Sequence, residues 1–176
     1  MSWRIAGMGW VTPLGTDVAA VCAAIAKGTT AAEKTIENPE ANRRHTVRPV
    51  PPDLVQNLQR EPRLRRSSPI SYFAVAAGLA ALCEAGLKPG AAPDDRTALV
   101  FAASNGSVIY TRRFYEQITK QGANSASPML FPETVYNAPA SHLAAFLGLN
   151  GATYTLVGDQ SVGWEALILA GQLLAL

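Results

Sequence analysis

The chain has 176 residues, of which 48% are hydrophobic and 16% are charged, and its formal net charge is +2. These values exclude a disordered chain, which would be more polar and more highly charged, and they fit one folded domain of ordinary size. The small net charge gives no support to nucleic-acid binding.

The first predicted element is a buried strand. The apolar run Trp3–Val11 contains two glycines and leads into a tight turn at Thr12-Pro13. Thr16 is placed to cap a helix that begins at Asp17, whose carboxylate suits a helix N-terminus, and Gly28 ends this helix.

Residues 29–66 are predicted to form an irregular basic loop. Five prolines interrupt every periodic pattern, and the stretch Arg43–Arg66 holds seven basic and two acidic residues. A long irregular loop within one domain usually serves a purpose. It is either a docking site for an acidic partner or a solvated insertion.

The middle of the chain alternates helix and strand. Ser68-Pro69 opens a helix that Gly86 ends. Its predicted core face is the stripe Tyr72, Val75, Leu79 and Leu82. After Asp94-Asp95, the near-continuous apolar run Arg96–Ala103 is typical of a strand buried on both faces, and a helix is predicted from about Val108 to Gln121.

The last third repeats this alternation. A helix over Ala138–Leu147 ends at Gly148, a strand covers Thr153–Gly158, and a final helix begins at Asp159 or Ser161 and runs to the end of the chain. Strands alternating with helices predict an α/β fold with a mostly parallel, covered sheet. The whole chain, residues 1–176, is read as a single domain.

The final helix is apolar almost all round, so we expect it to be buried. The run Trp164–Leu176 is shorter than the roughly 20 residues of a membrane span and contains Glu165 and Gln172. Such a helix needs cover on several sides, and an open strand edge also needs a partner. The sequence therefore predicts an interface with another protein and no membrane contact.

The two cysteines, Cys22 and Cys83, lie far apart without metal-site spacing, and no secretory leader precedes Trp3. We expect a reduced, cytoplasmic protein with no disulfide, no metal and no cofactor. Both thiols fall on apolar helix faces and are predicted to be small core residues.

A sharp polar turn, Gly158-Asp159-Gln160-Ser161, joins the last strand to the last helix. A side chain at such a corner meets free backbone N–H groups and the positive end of the helix dipole, which lower a thiol pKa and stabilise an oxyanion. A nucleophile is expected there, yet no cysteine is present.

At this point the sequence resembles the β-ketoacyl-ACP synthases of fatty acid and polyketide synthesis, in their N-terminal half. The matching segments, in register along the chain, are Ile5–Gly15, Arg65-Arg66, Ser71–Leu87, Ala98–Gly106, Ser127-Pro128, Phe131-Pro132, Asn137, His142-Leu143 and Leu147–Gly151. The resemblance implies a partial thiolase-like fold, an incomplete N-terminal β-α-β-α-β-α half.

Two departures from the family bear on function. Gln160 stands where the family has its reactive cysteine, and an amide is not a useful nucleophile at neutral pH. The family's later half, with two catalytic histidines, has no counterpart here. A chain with both departures resembles the chain-length factors of type II polyketide systems, in particular shortened members from aryl polyene pathways. The resemblance implies a non-catalytic subunit that heterodimerises with an active ketosynthase and shapes its acyl tunnel.

The resemblance also implies which residues serve these roles. The strand that pairs across the family's dimer matches Thr153, Tyr154, Thr155 and Leu156, with Gln160 following. The segments that approach the acyl tunnel supply Val108, Ile109, Phe114, Met129, Leu130 and Phe131. An acyl carrier protein, which is acidic, would dock on Arg43, Arg44, Arg63, Arg65 and Arg66. The alternative for these arginines is a solvated loop with local ion pairs.

Several alternatives remain open at this point. Gln160 is either a degenerate active-site residue or an ordinary turn residue, and Ser161 has no base beside it in sequence. His142 is expected to be a helix-face residue satisfied by a neighbour, and His45 to be solvated. The chain is alternatively a malonyl-ACP decarboxylase, as some glutamine-bearing relatives are, or the N-terminal piece of a longer inactive synthase.

Overall fold

A computed structural model describes residues 3–39, 41–88 and 97–175. Its helices are α1 Val18–Ala26, α2 Gln56–Gln59, α3 Pro69–Glu84, α4 Val108–Gln121, α5 Ala138–Leu147 and α6 Val162–Leu173. Its strands are β1 Lys34–Asn38, β2 Arg43–Val47, β3 Leu99–Ala103 and β4 Thr153–Val157. This order confirms a mixed α/β fold. The predicted positions Asp94, Asp95, Arg96 and Leu176 lie outside the described residues.

A parallel pair of strands, β3 and β4, lies between the helices. The pairing runs in register from Leu99 opposite Thr153 to Ala103 opposite Val157. Both α5 and α6 contact both strands. The parallel pairing confirms the prediction, although the β3 residues are half-buried, apart from buried Ala103, instead of fully covered on both faces.

The predicted strand Trp3–Val11 is wrong. This segment forms no ladder with any described strand and lies along α3. At Gly7 and Gly9 the backbone approaches the helix so closely that added Cβ atoms would lie 2.2 Å from the Ala81 carbonyl oxygen and 2.0 Å from that of Ala77. The glycines that suggested a strand leading into a turn are needed here for contact between backbone and helix.

The first helix begins one residue later than predicted. Asp17, not Thr16, is its N-cap, and the Asp17 carboxylate accepts a hydrogen bond of 2.6 Å from the Ala20 N–H. Gly28 follows its C-terminal end with a φ of 70°, a left-handed conformation that glycine adopts without strain.

Residues 29–66 are more regular than predicted. Strands β1 and β2 form an antiparallel hairpin, a 3₁₀ turn covers Pro52–Val55, and α2 follows it. The hairpin contacts no other helix or strand within the described residues, and its side chains are exposed except for the half-buried Val47. The five prolines of this stretch suggested an irregular loop. All of them lie outside the two strands, so they do not interrupt the hairpin.

The core forms where α3 packs against α5. Its buried members are Leu64, Val75, Leu143 and Leu147. Partly buried side chains that pack around them include Tyr72, Leu79 and Leu82, so the predicted apolar stripe of α3 is confirmed as core. Two boundaries also match the prediction, since α3 begins at Pro69 and α5 ends before Gly148.

The prediction that the last helix is buried is wrong for this chain alone. Within α6, all of which is described, Val162 is the one buried residue, and Trp164 is 73% exposed. The chain exposes 12156 Å² in total, against about 8,200 Å² for a compact globular protein of 18.6 kDa. The exposed residues include large apolar side chains of α6, such as Trp164, Ile168 and Leu174.

Two further points concern the cysteines and the membrane. Cys22 and Cys83 are both exposed, so the prediction that they are core residues is wrong. Among the described residues, no helix is long and apolar enough to cross a membrane.

The close approach of the N-terminal segment to α3 can be tested at Gly9. Replacing Gly9 by Ala forces the backbone away from α3, because the new Cβ would overlap the Ala77 carbonyl. We expect a loss of about 1–3 kcal/mol in the free energy of unfolding, as for other overpacked sites, measured by urea denaturation. Gly163 is the matched control, since an added Cβ there meets no atom within 4 Å. Gly163→Ala should be neutral or stabilising by up to about 1 kcal/mol; equal losses for both variants would contradict this packing.

Candidate functional site

The turn between β4 and α6 is the first candidate site. Strand β4 ends at Val157 and α6 begins at Val162, so Gln160 lies in a four-residue corner at the N-terminus of the helix, with its side chain exposed. Gly158 makes the corner possible, because a Cβ there would lie 3.2 Å from that of Val162. The predicted strand–turn–helix arrangement is therefore present.

Two carboxylates contact Ser161, the residue that follows Gln160. Asp159 Oδ1 accepts hydrogen bonds of 2.8 Å from both the N–H and the hydroxyl of Ser161. These two bonds lower the pKa of Asp159. The Ser161 hydroxyl also lies 3.0 Å from Glu165 Oε1, to which it can donate instead. Negative charge in the turn opposes formation of a thiolate or an oxyanion and offsets the helix dipole.

The predicted tunnel residues lie on α4 and on the segment 129–131, whose Phe131 contacts Phe114. The Phe114 ring lies 5.8 Å from that of Phe131, which begins a 3₁₀ turn at Phe131–Thr134. Leu130 is half-buried. Exposed apolar side chains on this surface include Val108, Ile109, Met129 and Phe131. We call this set, with Phe114, the α4 surface.

The predicted strand residues form a second group. Thr153 and Tyr154 are exposed, Thr155 and Leu156 are half-buried, and one edge of β4 has no described strand beside it. Within the described residues α4 contacts neither β4 nor α6. The structure therefore separates the predicted site residues into the α4 surface and the β4–α6 corner, and does not join them within this chain.

A buried polar cluster, which the sequence analysis missed, joins the starts of α3 and α4 to the 3₁₀ turn Phe131–Thr134 and to α5. Glu133 is only 3% exposed; its Oε1 lies 2.5 Å from His142 Nε2, and its Oε2 accepts a 2.9 Å hydrogen bond from the Ser68 N–H at the start of α3. The Ser107 hydroxyl, at the start of α4, donates to Ser68 Oγ at 2.7 Å. Glu133 is thus the neighbour that satisfies His142.

Hydrogen bonds keep Glu133 ionised in this cluster. Burial by itself opposes ionisation, but the bonds from His142 and Ser68 outweigh it and hold the pKa of Glu133 below its usual value. Tyr72 has a raised pKa because it is partly buried and lies near Tyr110 and Glu133. The signal in the sequence was weak, since Glu133 and Ser68 are 65 positions apart.

An open cavity of about 220 Å³ lies between the starts of α3 and α4. Ser68 and Ser107 line one part of it, and the apolar side chains of Ile70, Val108 and Ile109 line the rest. Two predicted tunnel residues therefore border a preformed apolar cavity with a polar, hydrogen-bonded wall.

Two of the five predicted docking arginines are engaged locally. Arg44 pairs with Glu37 across the hairpin at 3.1 Å. Arg63 pairs with Glu61 at 3.3 Å, and its guanidinium lies over the Phe146 ring at 4.5 Å. These contacts give both arginines structural partners.

The other three, Arg43, Arg65 and Arg66, are exposed and form no ion pair with a described residue. His45 is exposed on β2, as predicted. In the described part of the chain, no three His, Cys, Asp or Glu side chains are grouped so that they could hold a metal ion.

Comparison with known proteins agrees with this geometry. A family model described as "Beta-ketoacyl synthase, N-terminal domain" matches residues 4–176. No curated protein matches the chain.

Three solved structures are similar in fold. A β-ketoacyl synthase from Burkholderia phymatum STM815 has a TM-score of 0.79 and 22% identity over 97% of this chain and 43% of its own. The ishigamide ketosynthase/chain length factor has a TM-score of 0.75 and 21% identity, over 96% of this chain and 44% of its own. A type II PKS acyl-carrier protein in complex with its ketosynthase has a TM-score of 0.71 and 16% identity, over 96% of this chain and 45% of its own. The expected partial thiolase-like fold is confirmed, and this chain spans less than half the length of these solved chains.

The buried cluster can be tested through its pH dependence. Because the folded-state pKa of Glu133 is lowered, its ionised form stabilises the fold at neutral pH, and this contribution is lost as the pH falls through the folded-state pKa. Glu133→Gln should cost about 1.5–3 kcal/mol at pH 7, and the difference from wild type should shrink below the usual glutamate pKa of about 4.3. Urea denaturation at several pH values measures both.

Glu116→Gln is the matched control for Glu133→Gln. Glu116 pairs with Arg112 on the exposed side of α4, and the Arg112 hydrogen bond lowers its pKa. Since water screens this pair, the variant should leave stability nearly unchanged. A Glu133 variant as stable as the Glu116 variant at pH 7 would refute the role of the cluster.

Proposed function

Because the chain belongs to the β-ketoacyl synthase family, we propose that it is a non-catalytic, chain-length-factor-like subunit. It pairs with an active ketosynthase in the cytoplasm and forms part of the wall of the acyl tunnel during polyketide or fatty-acid-type elongation, with aryl polyene synthesis as one setting. Gln160 in the β4–α6 corner is the observation that carries this proposal.

The chemistry of the corner supports a non-catalytic role. The Gln160 amide is not nucleophilic at neutral pH, so an acyl group is not transferred to it. Asp159 and Glu165 beside it add negative charge where a reactive cysteine would need its thiolate stabilised. The Ser161 hydroxyl donates to one or other of these carboxylates and has no imidazole partner among its described hydrogen bonds, so we do not expect it to be activated.

The uncovered surface supports an obligate partner. The chain exposes about half as much surface again as a compact protein of its mass. One edge of β4 is unpaired among the described strands, and open edges of this kind invite another strand. Obligate interfaces resemble a domain core cut in half and leave apolar side chains of this kind exposed when one partner is taken alone.

The α4 surface is the proposed tunnel wall. Phe114 and Phe131 form an aromatic pair, and Val108 and Ile109 border the cavity at the start of α4, so an acyl chain would find apolar contacts at both places. A bulky ring at Phe131 limits how far such a chain extends. The subunit thereby sets product length without taking part in the bond-forming step.

Arg65 and Arg66 are the proposed contact for an acyl carrier protein. Both are exposed without an ion pair among the described residues, and clustered arginines attract acidic partners. Arg43 lies on the hairpin beside Arg44, which already pairs with Glu37. Docking is therefore assigned first to the segment before α3.

The tunnel role predicts a change in product length. Phe131→Ala, co-expressed with an active ketosynthase whose products depend on this chain, should yield longer acyl products, because it removes a ring from the α4 surface; mass spectrometry of the products measures the shift. Ile36→Ala is the control, since Ile36 is exposed to a similar degree on the hairpin, away from α4. Unchanged products from a ketosynthase that works equally well without this chain would overturn the proposal.

The same preparation tests for catalysis by the chain itself. Purified alone and incubated with acyl and malonyl thioesters, it should gain no covalent acyl mass and release no carbon dioxide. Carbon dioxide release from malonyl-ACP that Gln160→Ala abolishes would instead show a decarboxylase.

Carrier-protein docking predicts a charge-dependent loss of affinity. Reversing both Arg65 and Arg66 to Glu should weaken carrier binding by about tenfold at low salt, with a smaller effect as ionic strength rises. Isothermal titration calorimetry at several salt concentrations measures this affinity. Arg44→Glu is the control, because Arg44 lies on the separate hairpin and is engaged by Glu37. A larger loss for Arg44→Glu than for the double variant would move the docking site to the hairpin.

A further inference from the structure

The position of Phe131 depends on the backbone turn that carries it more than on burial of its ring. The ring is 55% exposed, and its described aromatic neighbour is Phe114, with 5.8 Å between the ring centroids. A side chain this exposed gains little free energy from burial. Contact with Phe114 alone therefore does not fix where the ring lies, and the turn must do so.

Local hydrogen bonds shape this turn on both sides of Phe131. The Phe131 N–H donates to the Ser127 carbonyl at 3.2 Å, and the Phe131 carbonyl accepts from the Thr134 hydroxyl at 2.7 Å. The Glu133 N–H donates to the Leu130 carbonyl at 3.0 Å. All of these bonds join residues of one short segment. They fix the form of the turn, but they do not fix where the turn lies against the helices.

The Glu133 side chain ties the turn to two helices. It is 3% exposed; its Oε2 accepts from the Ser68 N–H at the start of α3, and its Oε1 contacts His142 Nε2 on α5. The turn also packs against α4 and α5. Among the hydrogen bonds of the described residues, however, only those of Glu133 join the turn to a helix.

Burial and charge make this tie specific. Hydrogen bonds to an ionised carboxylate are stronger than those between neutral groups, and water competes little for a side chain as buried as Glu133. A displacement of the turn would leave the carboxylate buried without its partners, which is costly. The polar network therefore favours one position of the turn and, with it, one position of Phe131.

We infer that Glu133 is a positioning residue for Phe131 and that it thereby contributes to the length of the acyl product. The inference rests on the proposed function, in which the Phe131 ring limits how far an acyl chain extends. Glu133 does not line the cavity at the start of α4 and acts through the turn. Its contacts with Ser68 and His142 keep the ring beside Phe114.

The first test measures the position of the ring in the purified chain. With 4-fluorophenylalanine at position 131, the fluorine NMR shift depends on the neighbouring Phe114 ring, and Phe114→Ala gives the shift without that neighbour. Glu133→Ala should move the resonance toward the Phe114→Ala value, because the turn loses both ties. Glu133→Gln should remain closer to wild type, since its amide oxygen can still accept from the Ser68 N–H.

Val21→Ala is the control for a general loss of stability. Val21 is buried in α1, which contacts no other described helix or strand, so this variant removes core packing and should leave the resonance in place. Circular dichroism checks that each variant is folded. If Glu133→Ala does not fold, His142→Ala replaces it and should move the resonance in the same direction, because it breaks the tie to α5. An unmoved resonance, or an equal movement in Val21→Ala, would overturn the inference.

The second test measures product length with an active ketosynthase whose products depend on this chain. Glu133→Ala should lengthen the acyl products, as Phe131→Ala does, whereas Val21→Ala should change at most their yield. A merely structural role for Glu133 would not give this difference between length and yield. Longer products from Phe131→Ala but not from Glu133→Ala would overturn the positioning role and leave the proposed function standing. Unchanged lengths from both variants would overturn the proposed function as well.

Discussion

The parallel pairing of β3 with β4 is the constraint on which the candidate corner depends. The two strands are far apart in sequence, and their pairing from Leu99–Thr153 to Ala103–Val157 fixes where the chain must turn into α6. A two-stranded unit is marginal by itself, so it relies on contacts with α5 and α6. Gln160 is therefore held by the same packing that would hold a nucleophile. The side chain at position 160 does not affect this geometry, because none of the strand pairing involves that residue.

The Glu133 cluster gives the fold a second fixed point. A buried carboxylate is costly unless its charge is satisfied, and here both oxygens are engaged, one by His142 and one by the Ser68 N–H. Ser68 begins α3 and Ser107 begins α4, so the cluster sets the distance between the two helix starts. It thereby sets the cavity that Val108 borders. The cavity that the proposed tunnel wall borders therefore depends on a buried polar network, of which Ser68 and Ser107 line the cavity itself.

Local signals in the sequence predicted the helices well and the burial poorly. Proline at position 69 and glycine at position 148 placed the start of α3 and the end of α5, because capping depends on neighbouring residues alone. Trp3–Val11 has the composition of a strand, but a strand also needs a partner at its edge, and α3 lies there instead. The Glu133 contacts join residues distant in sequence, so no periodic pattern reveals them. The corner at Gln160 was predicted because strand, turn and helix follow one another directly.

Helix α6 is the element whose predicted burial differs most plainly from the structure. Its composition is that of a core helix, and the sequence predicted burial for that reason, whereas the structure covers one face with β3 and β4 and leaves Trp164 and Ile168 to solvent. The exposed apolar face of α6 contains several large side chains, whereas ordinary protein surfaces expose single leucine or tryptophan residues. A helix composition typical of a core does not by itself say which of its faces this chain covers. The apolar side chains left exposed lie on α6 and on the α4 surface, outside the α3–α5 core.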